Sequence, residues 1–190
     1  HRQRSDQRQA QQHAAGQARV VEQGVDLGLV GLGALCRQQD LQALEAGDAG
    51  NSGSVGISHA LVAERYALPG QLIIGTDSHT PHSGALGCAA FGVGTTDMAN
   101  AFVTGAVRIT VPAVLRVEFE GVLPAGVTAK DLALLLLADP SIRAGAGVGK
   151  VFEFGGDVIR RLSTDERATL TNMTAELGGF TGLVEPDAET

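Results

Sequence analysis

Apolar positions organise this chain from residue 55 onward and organise it poorly before that. Val114 to Val122 alternates: Leu115, Val117 and Phe119 face one way, while Arg116, Glu118 and Glu120 face the other. A period of two predicts a half-buried strand. Gln71-Leu72-Ile73-Ile74 is a short apolar run after the turn signal Pro69-Gly70, and residues 71–76 read as a buried strand. Residues 58–67 read as a short helix. The small apolar stretch Gly84 to Gly94 reads as a tightly packed helix, and Thr95 or Thr96 can cap another that runs to about Val107. Thr128-Ala129-Lys130-Asp131 resembles a capping box, with Asp for Glu, ahead of the apolar run Leu132 to Leu137. Residues 139–149 read as a Gly-rich loop and Val151 to Phe154 as a strand. Residues 156–162 and 164–177 read as helices stopped by Gly178-Gly179, with Thr181 to Val184 as a last strand. Strands alternating with helices predict an α/β protein, layered α/β/α, with a parallel or mixed sheet.

The first fifty residues differ. Residues 1–42 hold ten of the eleven glutamines, with few large apolar residues near the start. Such a stretch buries too little surface to offset its ordering entropy, so disorder or a loose helix is expected. Val20 to Leu44 is more apolar, but Gly24, Gly28, Gly31 and Gly33 weaken any helix, and Gly47 to Gly56 reads as a loop. Residues 1–52 are therefore left unassigned, and 53–190 form the predicted α/β domain.

Charge and cysteine content narrow the partners. A net charge of −7 argues against nucleic acid and for a small-molecule ligand. No run of eighteen or more apolar residues suggests a membrane span, and no secretory signal is visible. Cys36 and Cys88 are far apart, with no CxxC; this fits a reducing, cytoplasmic setting and supplies no complete metal site. The chain starts with His1 and ends just after a strand, so both ends read as cut and a longer parent protein is expected.

The chemistry concentrates in Gly75-Thr76-Asp77-Ser78-His79-Thr80-Pro81-His82-Ser83-Gly84-Ala85, just after the apolar run at 71–74. Ligands of open α/β sheets bind at the carboxyl ends of strands. The plain alternative is a turn in which Asp77 and Ser78 bond their own backbone. A carboxylate beside His79 would raise its basicity and hold its tautomer. His59 needs a partner that spacing cannot supply, and His82 reads as a lone structural or exposed histidine. Asn172 and Glu176, four apart on a predicted helix, share a face; Glu176 by itself reads as a solvated residue. Asn172 and Thr174 form an N-x-T pattern, discounted without a secretion signal. Gly145, Gly147, Gly149 and Lys150 do not make a phosphate loop, since no Ser or Thr follows the lysine. Cys88 reads as a packing residue.

The segment Gly75-Thr76-Asp77-Ser78-His79-Thr80 resembles the aconitase superfamily of iron–sulfur hydro-lyases. So do Gly84-Ala85-Leu86-Gly87, Phe91 through Met98, Thr171 through Glu176, and Glu185-Pro186-Asp187. Within it, Thr95-Thr96-Asp97-Met98 and Val111-Pro112 most resemble 3-isopropylmalate dehydratase large subunits and homoaconitases, with aconitase a close alternative. The resemblance implies an incomplete aconitase-type domain from an enzyme that dehydrates and rehydrates a hydroxy di- or tricarboxylic acid. It implies a 4Fe–4S cluster whose cysteine ligands, including a CxxC, lie beyond Thr190, leaving no metal ligand in this chain. It implies His59 paired with Asp77, and His79 paired with Glu176, as catalytic residues. Asp77, Ser78, His79 and Asn172 would contact the substrate, while a serine base and arginines belong to absent parts. A small subunit or a C-terminal swivelling domain is the implied partner. A fragment of this kind is expected to be inactive alone. The alternative of another class is a non-catalytic binding domain that keeps the fold.

Overall fold

The computed structural model describes the strand at residues 18–23 and residues 57–190. Two sheets organise the described residues. The first has order β1-β4-β5-β6, with β1 at Ala18–Gln23, β4 at Val114–Phe119, β5 at Val151–Gly155 and β6 at Thr181–Val184. β4, β5 and β6 run parallel, whereas β1 pairs antiparallel with β4, so the sheet is mixed. Residues 18–23, expected to be unstructured or loosely helical, form that edge strand. Ala18-Arg19-Val20-Val21-Glu22-Gln23 does not alternate and so does not stand out among glutamines and glycines, and pairing with β4 supplies what local propensity does not. The other expectations for residues 1–56 lie outside the described residues.

The alternation in β4 does what its period requires. Leu115, Val117 and Phe119 are buried and meet Phe152 and Phe154 of β5 and Val184 of β6. Helices close this face. α3 (Ala129–Ala138) contributes Leu132 and Leu136, and α5 (Asp157–Arg161) contributes Val158 and Ile159. α6 (Thr164–Asn172) contributes Leu170. On the opposite face, Arg116 bonds Glu118 on its own strand and Glu153 across the β4–β5 register. The N-terminus of α3 is bound as its sequence predicts: the Thr128 backbone N–H and hydroxyl both donate to Asp131 Oδ2, at 2.8 and 2.9 Å. The expected loop at 139–149 begins instead with a helical turn, α4 (Pro140–Arg143). There Asp139 Oδ1 accepts the N–H groups of Ser141 and Ile142, so a cap and a proline override the glycines.

The second sheet is the parallel pair β2 (Leu72–Gly75) and β3 (Ala89–Gly92). The segment between them corrects the helix expected over 84–94. It is a 3₁₀ helix at Thr80–Leu86, closed by Gly87 in the left-handed region, and it is followed by β3. Small residues suit a tight crossover as well as a helix, and periodicity cannot separate the two in so short a run. Gly84 packs directly on the Gly182 carbonyl of β6, where any Cβ would collide with backbone, so the 3₁₀ helix and the first sheet meet without side chains between them. α1 (Ser58–Arg65) and α2 (Thr95–Thr104) flank the second sheet in sequence. α2 starts from Gly94 with no side-chain cap and stops three residues early at Gly105, also left-handed. Among the described residues no helix is long and apolar enough to cross a membrane.

Candidate active site

β2 ends at Gly75, and the chain turns at once through Asp77, Ser78 and His79 before entering the 3₁₀ helix. Gly92 makes room for this turn: a Cβ there would lie 2.8 Å from the Asp77 carbonyl oxygen. The loop therefore sits over the carboxyl ends of both parallel strands, where α/β sheets place ligands.

Asp77 Oδ1 accepts the His79 backbone N–H at 2.7 Å and lies 3.1 Å from His59 Nε2, which α1 delivers from eighteen residues away. The local turn and the long-range pair therefore coexist, and the carboxylate serves both. The backbone N–H of His79, joined by the His59 ring, holds the Asp77 carboxyl below its ordinary range. Adjacent residues on a strand would point apart, but the turn bends Ser78 and His79 together, with Ser78 Oγ 3.2 Å from His79 Nδ1.

His79 is braced on both sides. Its Nε2 lies 2.9 Å from Glu176 Oε1, and its Nδ1 lies 3.4 Å from Asp77 Oδ1. The hydrogen bond to Glu176 and the two nearby carboxylates raise its pKa above the ordinary histidine value, and partial burial only partly opposes them. An imidazolium needs an acceptor at each nitrogen, and this ring has one at each. The two pairs expected from the resemblance, His59 with Asp77 and His79 with Glu176, are thus both in contact and share the Asp77 carboxylate.

Glu176 reaches His79 by a different route from the one its spacing suggests. α6 ends at Asn172, and residues 173–178 continue as turns, so Asn172 and Glu176 do not share an α-helical face. Asn172 instead points to His82, with Nδ2 3.4 Å from Nδ1. His82, read from the sequence as isolated, is half-buried, with its ring centroid 6.2 Å from that of His59. Burial, together with the charge of His59, pushes its pKa down, while Asp165 pulls the other way. The signal for it was present: His79 and His82 are three apart, and a 3₁₀ helix aligns i with i+3, but that helix was not expected there.

The family motif Glu185-Pro186-Asp187 has a structural use. Asp187 accepts two hydrogen bonds at 2.9 Å from Arg167, which is fully buried and also donates to the Leu162 and Arg160 carbonyls. Two cavities open away from the histidines. One is lined by Asp97, Asn100, Ala106, Val107 and Arg108, and the other includes Arg116, Arg160 and Asp187. Neither contains the paired imidazoles, which lie partly exposed where the loop after β2 meets Glu176. Neither cavity contains a histidine or cysteine, and the histidine cluster is the candidate site.

The residues present do not fit an iron–sulfur cluster, which needs thiolates. Cys88 is fully buried, its Sγ donates to the Leu68 carbonyl at 3.2 Å, and burial pushes its thiol pKa up. Cys36 lies outside the described residues. Among the described residues no group of three or more His, Cys, Asp and Glu is arranged to hold a metal ion.

The sequence pattern of the Aconitase family (aconitate hydratase) matches residues 9–190, which takes in most of the segment left unassigned above. The chain is 48% identical over 139 residues to a 3-isopropylmalate dehydratase large subunit 1 of Pyrococcus furiosus, covering 73% of this chain and 32% of that protein. The Pyrococcus abyssi protein of the same name is also 48% identical over 139 residues, with the same coverage. The 3-isopropylmalate dehydratase large subunit of Halothermothrix orenii is 45% identical over 139 residues, covering 73% of this chain and 33% of its own length. The chain thus spans about a third of the curated relatives it matches. With a match over nearly its whole length, and with two histidine–carboxylate pairs meeting at one strand end, this chain belongs to the aconitase family.

Proposed function

We propose that this chain is the acid–base segment of an iron–sulfur hydro-lyase. The enzyme isomerises a hydroxy di- or tricarboxylic acid by dehydration and rehydration, most like a 3-isopropylmalate dehydratase large subunit. The observation that carries the reading is His79, an imidazole with an acceptor at both nitrogens and an open surface beside it.

Hydroxide is a poor leaving group, so a positioned acid has to protonate the departing oxygen as the C–O bond breaks. His79 is that acid in this reading. Glu176 holds Nε2, so the proton passes from the Nδ1 side, where the Ser78 hydroxyl lies in reach. Water is the product of that transfer, and rehydration returns the proton to the ring. His59, oriented by Asp77, is the second imidazole facing the reacting carboxylate, and Asn172 and Ser78 help bind the substrate. The base that removes the proton α to a carboxylate, and the thiolates of the cluster, come from outside this chain. The reading also brings a small subunit or swivelling domain as partner and a cytoplasmic setting.

A chimaera tests this reading. This chain's matching residues replace the 139-residue stretch of the Pyrococcus furiosus relative. The chimaera should form its cluster and dehydrate isopropylmalate, followed by the ultraviolet absorbance of the unsaturated acid. His79→Ala in that background should lower kcat by about 10²–10⁴-fold and leave the cluster's visible spectrum unchanged. A cluster-loaded chimaera without turnover, or one indifferent to His79→Ala, refutes the proposal.

A further inference from the structure

We propose that His82 is the neutral hydrogen-bond donor of this site: Asn172 keeps its proton on Nε2, and that N–H is left for an oxygen of the bound hydroxy-carboxylate. The inference rests on the functional reading above and adds to it a third imidazole with a role unlike those of His59 and His79.

Three observations lead there. The first is the partner at Nδ1. The Asn172 amide nitrogen has only protons to offer, so Nδ1 facing it at 3.4 Å accepts with its lone pair. A neutral imidazole whose Nδ1 is an acceptor carries its proton on Nε2. The second is what Nε2 meets. It makes no hydrogen bond with any described residue, and it is not among the buried polar atoms left without a partner. The ring is half-buried, so its polar end is reachable while its body is held.

The third is how firmly the ring is placed. The His82 backbone N–H donates to the His79 carbonyl at 3.1 Å, and its carbonyl accepts the Thr171 hydroxyl at 3.1 Å. Thr171 and Asn172 are consecutive at the end of α6, so one helix end fixes both the backbone and the ring of His82. The charged and titratable groups around the ring are His59 from α1, Asp165 from the first turn of α6, and His79 one 3₁₀ turn before it.

Residue type then separates the roles. Glu176 presents a carboxylate to His79, which rewards a proton on the facing nitrogen. Asn172 presents an amide N–H to His82, which penalises one. The site thus combines a charged imidazole able to release a proton with a neutral imidazole able only to donate a hydrogen bond. Asn172 acts through His82 as a positioning residue, which refines the direct substrate contact expected for it.

Long-range ¹H–¹⁵N correlation spectra of the histidine rings, recorded on the 190-residue chain across its soluble pH range, test the inference, with His82 assigned by its loss in His82→Gln. His82 should show the neutral Nε2–H pattern at neutral pH and titrate below the ordinary value of 6.5. Asn172→Asp, which puts an acceptor at Nδ1, should raise that midpoint and move the neutral proton to Nδ1. Far-UV circular dichroism and an unchanged His79 titration report that the variant is folded, and the wild-type tautomer stands as a test without it. Malate is the ligand probe and should shift the His82 Nε2 and His79 signals together. A wild-type Nδ1–H tautomer, an imidazolium at neutral pH, or malate shifts at His79 but not at His82 overturns the inference and spares the functional reading. Malate shifts at neither ring overturn the ligand role of His82, while the functional reading, whose arginines lie outside this chain, stands or falls by the chimaera.

Discussion

Replacing Glu176 by Gln removes the charge that faces His79 Nε2 while preserving the shape and the hydrogen-bonding reach of the side chain. The partners lie 2.9 Å apart, and their side chains are 36% and 42% exposed. Coulomb's law at that distance spans about 1.4 kcal/mol in a water-like dielectric to about 6 kcal/mol at an effective dielectric near 20. With both groups more than a third exposed, solvent screening decides, and the pair belongs with exposed ion pairs worth about 0.2–1 kcal/mol. The pH dependence identifies the cause. The folded state raises the His79 pKa, so it binds the proton more tightly than the unfolded chain does. The associated stability is fully present below the unfolded value of 6.5 and is lost as pH rises through the folded value. Glu176→Gln should therefore lower stability by about 0.2–1 kcal/mol in mildly acidic buffer, up to about 4 °C in Tm for a chain of this size. In mildly alkaline buffer it should lower stability much less. Thermal unfolding at both pH values, with the His79 titration followed by NMR in parallel, measures the effect. An equal loss at both pH values, or a His79 midpoint that does not fall, would refute the argument that this carboxylate holds the proton on the ring.

Two further substitutions probe the frame that carries the site. Asp187→Ala leaves the fully buried Arg167 guanidinium without its carboxylate and should cost about 3 kcal/mol, the low end for a broken buried pair because Asp187 itself is partly exposed, read as a lower urea midpoint. In the wild type, the Asp187 carboxyl is held below its usual range mainly by its hydrogen bond with Arg167. Its contribution is therefore present above 3.8 and is lost as pH falls through the depressed folded value, so Asp187→Asn should flatten the acid limb of the stability curve. Thr174→Val removes a fully buried hydroxyl that has no hydrogen-bond partner among the described residues and keeps the branched shape; stability should be unchanged or rise by up to about 1 kcal/mol, and a loss larger than that would mean that the hydroxyl is bonded.

Period-two burial in β4 and the Thr128–Asp131 turn at the head of α3 were legible because both are local: the deciding contacts lie within a few residues. The Asp77 loop stands out in the sequence for the same reason, since unlike proton-handling groups follow an apolar strand. The segment after it has the pattern of one helix, yet its small apolar residues suit a 3₁₀ crossover and a short parallel strand equally well. Only packing of Gly84 on Gly182 and pairing of β3 with β2 separates these outcomes.

Sequence alone determined which residue types stood ready: two carboxylates, three imidazoles and an amide, with no thiol set to hold a cluster among them. Tertiary structure decided who meets whom. It carried Glu176 across 97 positions to His79 through turns rather than a helix face, and it turned Asn172 toward His82, which spacing had left without a partner. The reason is physical: a proton's position depends on atoms within about 3 Å, and the chain brings such atoms together only when distant segments pack.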